Sequence, residues 1–256
     1  MKKGFSLIEI VVVLGVIAIL LGAVTPFILG QMEAKRETST REEMENIFRA
    51  IMGEPGKEDF GYLGDMGKLP DTLTDLVVKP TGTPDFNYNH TNKVGMGWRG
   101  PYLHGFSPEE LTTDAWGYPY QYSPSGDNAG QIISNGQDHD PTTTDDNIIF
   151  PTSPPQTKGT LLLTVNVNNL PQPISATAEV YQTINGAESN MLTAVTGTIP
   201  GYNTFQFEVT QGIHAVKVYH NKGLSTEVSR AVNLAIPAGQ QINTILELWT
   251  AAAVDQ

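Results

Sequence analysis

Phe5-Ser6-Leu7-Ile8-Glu9-Ile10, continued by an apolar run to Phe27-Ile28-Leu29, is the stretch that decides how the rest of this chain is read. It follows Met1-Lys2-Lys3-Gly4 and holds a single acid, Glu9. As a helix, Phe5 to Leu29 rises about 37 Å, enough to cross a hydrocarbon core of roughly 30 Å. A removable secretory signal carries a shorter apolar core and a small-x-small cleavage site. Lys2 and Lys3 hold the amino end in the cytoplasm by the positive-inside bias, so everything after the run is expected outside it. An ionised acid within a bilayer costs about 2.5–3.5 kcal/mol on insertion scales. Glu9 therefore either sits in the first turn, where the helix dipole favours an anion, or meets a counter-charge.

Outward from the anchor, the helix is expected to continue. Met44, Ile47, Phe48 and Ile51 recur at i, i+3, i+4 and i+7 and give one apolar stripe among charged neighbours. Gly53-Glu54-Pro55-Gly56 is a stop signal. Gly22 and Pro26 are weak points, since proline lacks the donor for its place in the ladder. From Phe60 to Phe150 the texture changes to short segments broken by Pro and Gly. Leu73, Leu76 and Val77 predict one or two helical turns, and Trp116–Tyr122 and Gln131–Ser134 predict two short strands of a meander. Pro151–Lys158 reads as a stiff polar linker. Beyond it, period-two runs recur at Leu161–Val167, Ala176–Gln182, Leu192–Val195, Phe205–Val209, Ala215–Tyr219, Val228–Leu234 and Ile242–Leu248. That spacing predicts an antiparallel β-sandwich of about seven strands.

The chain has 256 residues and a formal charge of −12, which excludes nucleic acid as a partner because phosphate binding needs clustered Lys and Arg. Cysteine is absent, so disulfides and thiolate metal sites are excluded. Gly95-Met96-Gly97-Trp98-Arg99-Gly100 spells G-x-G-x-x-G, but Pro101 stands where a dinucleotide-binding helix should continue, so it reads as loop. The five histidines show no ligand spacing, and neither a nucleophile elbow nor a P-loop occurs. The chain is therefore expected not to be an enzyme. Tyr118, Tyr120 and Tyr122 fall on one face of a strand and are expected to pack against the long helix rather than stack a sugar.

Gly4, Phe5, Ser6 and Glu9 together resemble the leader of type IV pilins and type II secretion pseudopilins, and Pro26 falls where those helices often carry a proline. The resemblance implies that a prepilin peptidase cuts between Gly4 and Phe5 and methylates the new amino terminus. It also implies that Glu9 pairs with the Phe5 amino group of a neighbouring subunit and sets register in a filament.

A narrower resemblance covers residues 1–150. Lys68-Leu-Pro70, Leu76-Val-Val-Lys79-Pro80, Trp98-Arg-Gly100-Pro101-Tyr102-Leu103, Asp114-Ala-Trp116-Gly-Tyr118-Pro-Tyr120-Gln-Tyr122, Ile133-Ser-Asn135-Gly136-Gln-Asp138 and Asp145-Asp146-Asn-Ile148 follow in order. They resemble the major pseudopilins of type II secretion, the general secretion pathway protein G family, in which the closing loop binds calcium. Carried over residue by residue, Asp138, Asp145 and Asp146 supply side chains and Asn135 a backbone carbonyl. Crowded hard oxygens suit Ca²⁺, and the spacing is not that of an EF-hand. Two departures stand out: Ala115 replaces a usual Pro, and about a hundred residues follow where that family normally ends.

The expected fold is α+β. A class III leader (1–4) precedes a transmembrane and pilin helix (5–52). A small antiparallel head with the calcium loop (53–150) leads through the linker (151–158) to an all-β transthyretin-like or Ig-like sandwich (159–250). The expected function is a structural subunit of a type II secretion pseudopilus: a single-pass inner-membrane protein with its globular part in the periplasm, polymerising with copies of itself. Expected partners are prepilin peptidase, minor pseudopilins, the inner-membrane platform and, indirectly, the secretin. The alternative is a type IV pilus pilin or minor pilin whose sandwich is adhesive or ligand-binding.

Overall fold

The computed structural model describes residues 7–89, 91–92, 94–143, 146–168, 175–196 and 202–250. Gly4 and Phe5, at the expected processing site, and Asp145 lie outside the described residues.

Helix α1 (Leu7–Met52) runs unbroken through Gly22 and Pro26. At 1.5 Å per residue its 46 residues extend about 69 Å. Pro26 donates nothing to the ladder, yet the helix continues through it. From Leu7 to Leu29 the side chains described are exposed, Leu7 by 82% and Phe27 by 68%. Below it the pattern changes: Met44, Ile47 and Ile51 are fully buried, as their spacing predicts. Gly53, at φ +71°, ends the helix; a side chain there would meet the backbone around Gly61.

The head wraps this buried stripe. Short α2 (Gly61–Met66) packs Tyr62 and Met66 on it, joined by Leu69, Leu73, Leu76, Leu111, Tyr120, Ile132 and Ile148. Removing one such buried aliphatic side chain costs about 2–5 kcal/mol. The hairpin of β1 (Asn87–Asn89) and β2 (Val94–Met96) lies to one side. Among the described residues the meander has three strands, β3 (Gln121–Tyr122), β4 (Ile132–Ser134) and β5 (Ile148–Phe150). Its last strand packs Phe150 edge-on against Phe48 of α1, ring centroids 5.4 Å apart. Tyr118 is outside β3 and 40% exposed, because the backbone turns at Gly117. Tyr120 joins the core, and the Tyr122 hydroxyl donates to the Pro70 carbonyl at 3.1 Å. Gly95 and Met96 lie in β2 rather than in a loop, and the backbone directly after Gly100 is irregular rather than helical.

Among the described residues the sandwich has seven strands, β6 (Lys158–Asn168), β7 (Ser175–Ile184), β8 (Ala187–Thr196), β9 (Tyr202–Thr210), β10 (Gly212–His220), β11 (Val228–Ile236) and β12 (Gln241–Trp249). One sheet has the order β11-β10-β7-β8, the other β12-β6-β9. Inward residues alternate as period two requires: Leu161, Leu163, Val165 and Val167 on β6 meet Val216 and Val218 on β10 and Leu246 and Leu248 on β12. The β7–β8 turn uses Asn185-Gly186, both at positive φ, which suits the twist of a tight hairpin. One pairing departs from the antiparallel expectation: β12 runs parallel to β6, from Gln241 beside Thr160 to Trp249 beside Asn168. The chain leaves β11 at Pro237 and changes sheets, so β12 enters the other sheet in the direction of β6 instead of returning along β11.

The sandwich is fastened to the head. The Gln211 side chain, 2% exposed, donates from Nε2 to the carbonyls of Met52 at 2.6 Å and Phe60 at 3.2 Å. It thereby caps the last residue of α1, whose carbonyl has no partner within the helix. Gly186 N–H donates to Met66 O at 2.8 Å, and a side chain at Gly67 would collide with the Thr183 carbonyl. Glu188 accepts from Asn89 and Asn92, and Lys217 donates to Asn92. Val94 and Met96 of the head share a small buried cluster with Ala215 of the sandwich. The linker is tied down as well, Gln131 donating to Pro151 O and Gln211 N–H to Thr157 O.

Candidate functional site

Two regions carry the chemistry expected of this chain, the exposed anchor helix and the acidic loop that closes the head. Glu9 stands in the first turn of α1 and is exposed, as are the apolar residues around it.

The acidic loop is positioned by a polar network under it. Asp114, 6% exposed, accepts from the Ser134 hydroxyl at 2.6 Å and from the Trp116 and Tyr118 N–H groups. Ser134 also takes the Gly136 N–H at 3.1 Å. On the helix side, Ala115 N–H donates to the Thr40 hydroxyl and Trp116 Nε1 to Glu33. The loop's foundation is therefore bound directly to α1. Beside it, burial pushes the Glu43 carboxyl up to about 7; the Tyr120 hydroxyl pulls it down, while Asp114 and Glu110 add repulsion.

Within the loop, Asp146 Oδ2 accepts the N–H groups of Gln137 and Asp138 at 2.6 and 3.0 Å. Gly136, at φ +70°, lies so close to Asp146 that a side chain there would strike it. Asp138 accepts from Asp140 N–H and the Thr143 hydroxyl, which hold its carboxyl below the usual range. Asp140 is lowered in the same way by the Thr142 hydroxyl and N–H. The Asn135 side-chain oxygen is taken by Gln121. His139, at φ +59°, stacks on Tyr118 and pins the loop's outer edge.

Three buried polar atoms of this loop have no hydrogen-bond partner among the described residues: Asp146 Oδ1, Asn147 Oδ1 and His139 Nδ1. Two are oxygens within the stretch expected to hold calcium. Among the described residues no group of three or more His, Cys, Asp or Glu side chains forms a ready metal cluster. Asp138 and Asp146 are in one loop as the motif implies, and hard oxygen donors with a buried, unsatisfied carboxylate oxygen fit Ca²⁺. Sequence reasoning missed Thr40, Glu33, Glu43 and Gln211. The Asp114-x-Trp116 block hinted at the first two, but polar residues on a helix face otherwise look like solvated ones.

The chain is similar to known proteins over its anchor and head. The family model for type II secretion system protein G matches residues 28–150, and that for the prokaryotic N-terminal methylation motif matches residues 1–25. A type II secretion system core protein G of Xanthomonas campestris is 32% identical over 55% of this chain and 82% of its own length. Its counterpart in Pseudomonas aeruginosa is 32% identical over 49% of this chain and 75% of its own length. That of Klebsiella michiganensis is 28% identical over 57% and 90%. A long exposed apolar helix feeding its lower stripe into a small β head, behind a methylation motif, defines a pilin-like subunit. The chain belongs to the type II secretion system protein G family, and its function is that of a pseudopilin subunit of that system. The family model ends at Phe150, so the whole sandwich lies beyond it.

Proposed function

We propose that this pseudopilin is cut between Gly4 and Phe5 by prepilin peptidase, methylated at Phe5, and polymerised from the inner membrane into a periplasmic filament of copies of itself. In this reading minor pseudopilins and the inner-membrane platform start and extend the filament, which helps folded proteins pass the secretin. The observation that carries it is the exposed apolar half of α1 continuous with a buried lower half. A helix apolar all round needs lipid or other helices about it. Glu9 supplies the counter-charge to the Phe5 amino group of a neighbour, which removes the cost of two isolated charges in an apolar core. The protein's work is assembly rather than bond chemistry.

Calcium, in the same reading, is held by Asp138, Asp145 and Asp146 with the Asn135 carbonyl. It would supply a fixed charge that ties the two ends of the closing loop together. Asp146 is suited to this because one oxygen already fastens the 137–138 backbone while the other is buried without a partner among the described residues.

A strain lacking the gene decides the matter when export and surface fibres are scored together. The reading expects loss of exoprotein export with surface fibres and attachment intact. Intact export with lost fibres would favour a type IV pilus subunit.

A further inference from the structure

A cavity of about 150 Å³ lies at the seam between head and sandwich and is built by both. Its walls are Phe60, Phe86, Tyr88 and Ile213, and three of these remain exposed: Phe86 by 39%, Tyr88 by 45% and Ile213 by 41%. Gly95 forms part of the floor, where a side chain would meet the Phe86 ring at 2.5 Å. Exposed aromatic and aliphatic groups converging on one hollow mark a contact site rather than scattered surface. The rim is acidic. Arg99 lies over the Phe86 ring but is already held by Asp65 at 2.8 Å and Asp59 at 3.0 Å, and Glu58 adds a further carboxylate.

The complement is on α1. Ile28, Met32, Lys35 and Arg36 follow one another at i, i+4, i+7 and i+8, so they share a face. Glu33, Thr40, Met44 and Ile47 form the face turned to the chain's own head. Ile28 and Met32 are each 50% exposed, and Lys35 and Arg36 are exposed with no ion pair among the described residues. In a chain of net charge −12, two adjacent free cations beside an apolar pair are the counterpart of an apolar hollow with an acidic rim.

We propose that the seam cavity is the seat of the Met32–Arg36 segment of a neighbouring copy in the filament, with Met32 filling the hollow and Lys35 and Arg36 meeting the acidic rim around Glu58. The sandwich then completes a subunit contact instead of merely riding on the filament. The contact cannot form within one chain. Ile213 is two residues from Gln211, which caps Met52, and Met32 is about 30 Å down the helix from that point.

This inference rests on the polymer reading, and the absence of natural cysteine gives a clean test. Met32→Cys and Ile213→Cys are introduced together into the full chain, filaments are assembled in the native membrane, and the membranes are oxidised. A ladder of disulfide-linked multimers, absent from either single variant, is expected, since a bridge needs Cα atoms about 4.4–6.8 Å apart. Filaments that form without a ladder would overturn the inference while sparing the polymer reading; wild-type chains that form no filaments would count against that reading instead. If the cysteine pair prevents assembly, a charge swap decides. Lys35→Glu with Arg36→Glu should cut filament yield several-fold, and adding Glu58→Lys should restore part of it. No restoration would overturn the seat, leaving the cations as anchors to lipid headgroups.

Discussion

Glu43 shows how a single side chain on the long helix couples head stability to pH. Its carboxyl titrates at about 7 in the fold against an ordinary value of 4.5, chiefly because it is partly buried. The folded state therefore binds the proton more tightly than the unfolded chain, and the stability this confers is lost as pH rises from about 4.5 to 7. Glu43→Gln is expected to raise the melting temperature at pH 8 and leave it nearly unchanged at pH 4.5, measured by thermal unfolding of the full chain in detergent. His214 has the opposite sign: burial lowers its pKa, so stability falls as pH drops below the ordinary histidine value of 6.5. Gln211 is the other decisive residue. Gln211→Ala leaves the Met52 and Phe60 carbonyls without their donor in a buried seam, at a cost of about 1–3 kcal/mol. Calorimetry should show a melting temperature lower by several degrees, and an unchanged one would contradict the capping role.

At the scale of elements, the acidic loop and the stripe on α1 differ in how far the sequence disclosed them. Met44, Ile47 and Ile51 were legible because helical periodicity is local and their burial follows from it. The sandwich strands were legible for the same reason, with the period changed to two. The direction of β12 was not, because a sheet change at Pro237–Gln240 and a hairpin look alike in composition. Asp138 and Asp146 were singled out through ordered motif blocks. Their foundation on Asp114, Ser134 and Thr40 was hidden, because the partners are brought together only by folding. If the loop holds calcium, a chelator should lower the melting temperature of the full chain and restored Ca²⁺ should recover it. Asp146→Ala should abolish the difference. A melting temperature indifferent to both chelator and calcium would exclude the site.

Across the whole molecule, two cores are joined by a seam of directed hydrogen bonds, a close glycine contact and a small shared apolar cluster. The extension that the family model leaves out is thus part of how this head is held. A chain ending after Phe150 loses the Gln211 cap, the Gly186 contact to Met66 and the cover over Val94 and Met96. It is expected to melt below the full chain by thermal unfolding, and equal stability would show that the seam contributes nothing to the head. The same seam fixes the orientation in which a filament would carry the sandwich. The filament reading itself depends on α1 being processed as a pilin-like helix. The most direct test is the intact mass and amino-terminal sequence of the protein extracted from its native membrane. A chain that begins at Phe5 and carries one added methyl group is predicted; a retained Met1, or cleavage beyond Leu29, would contradict the account.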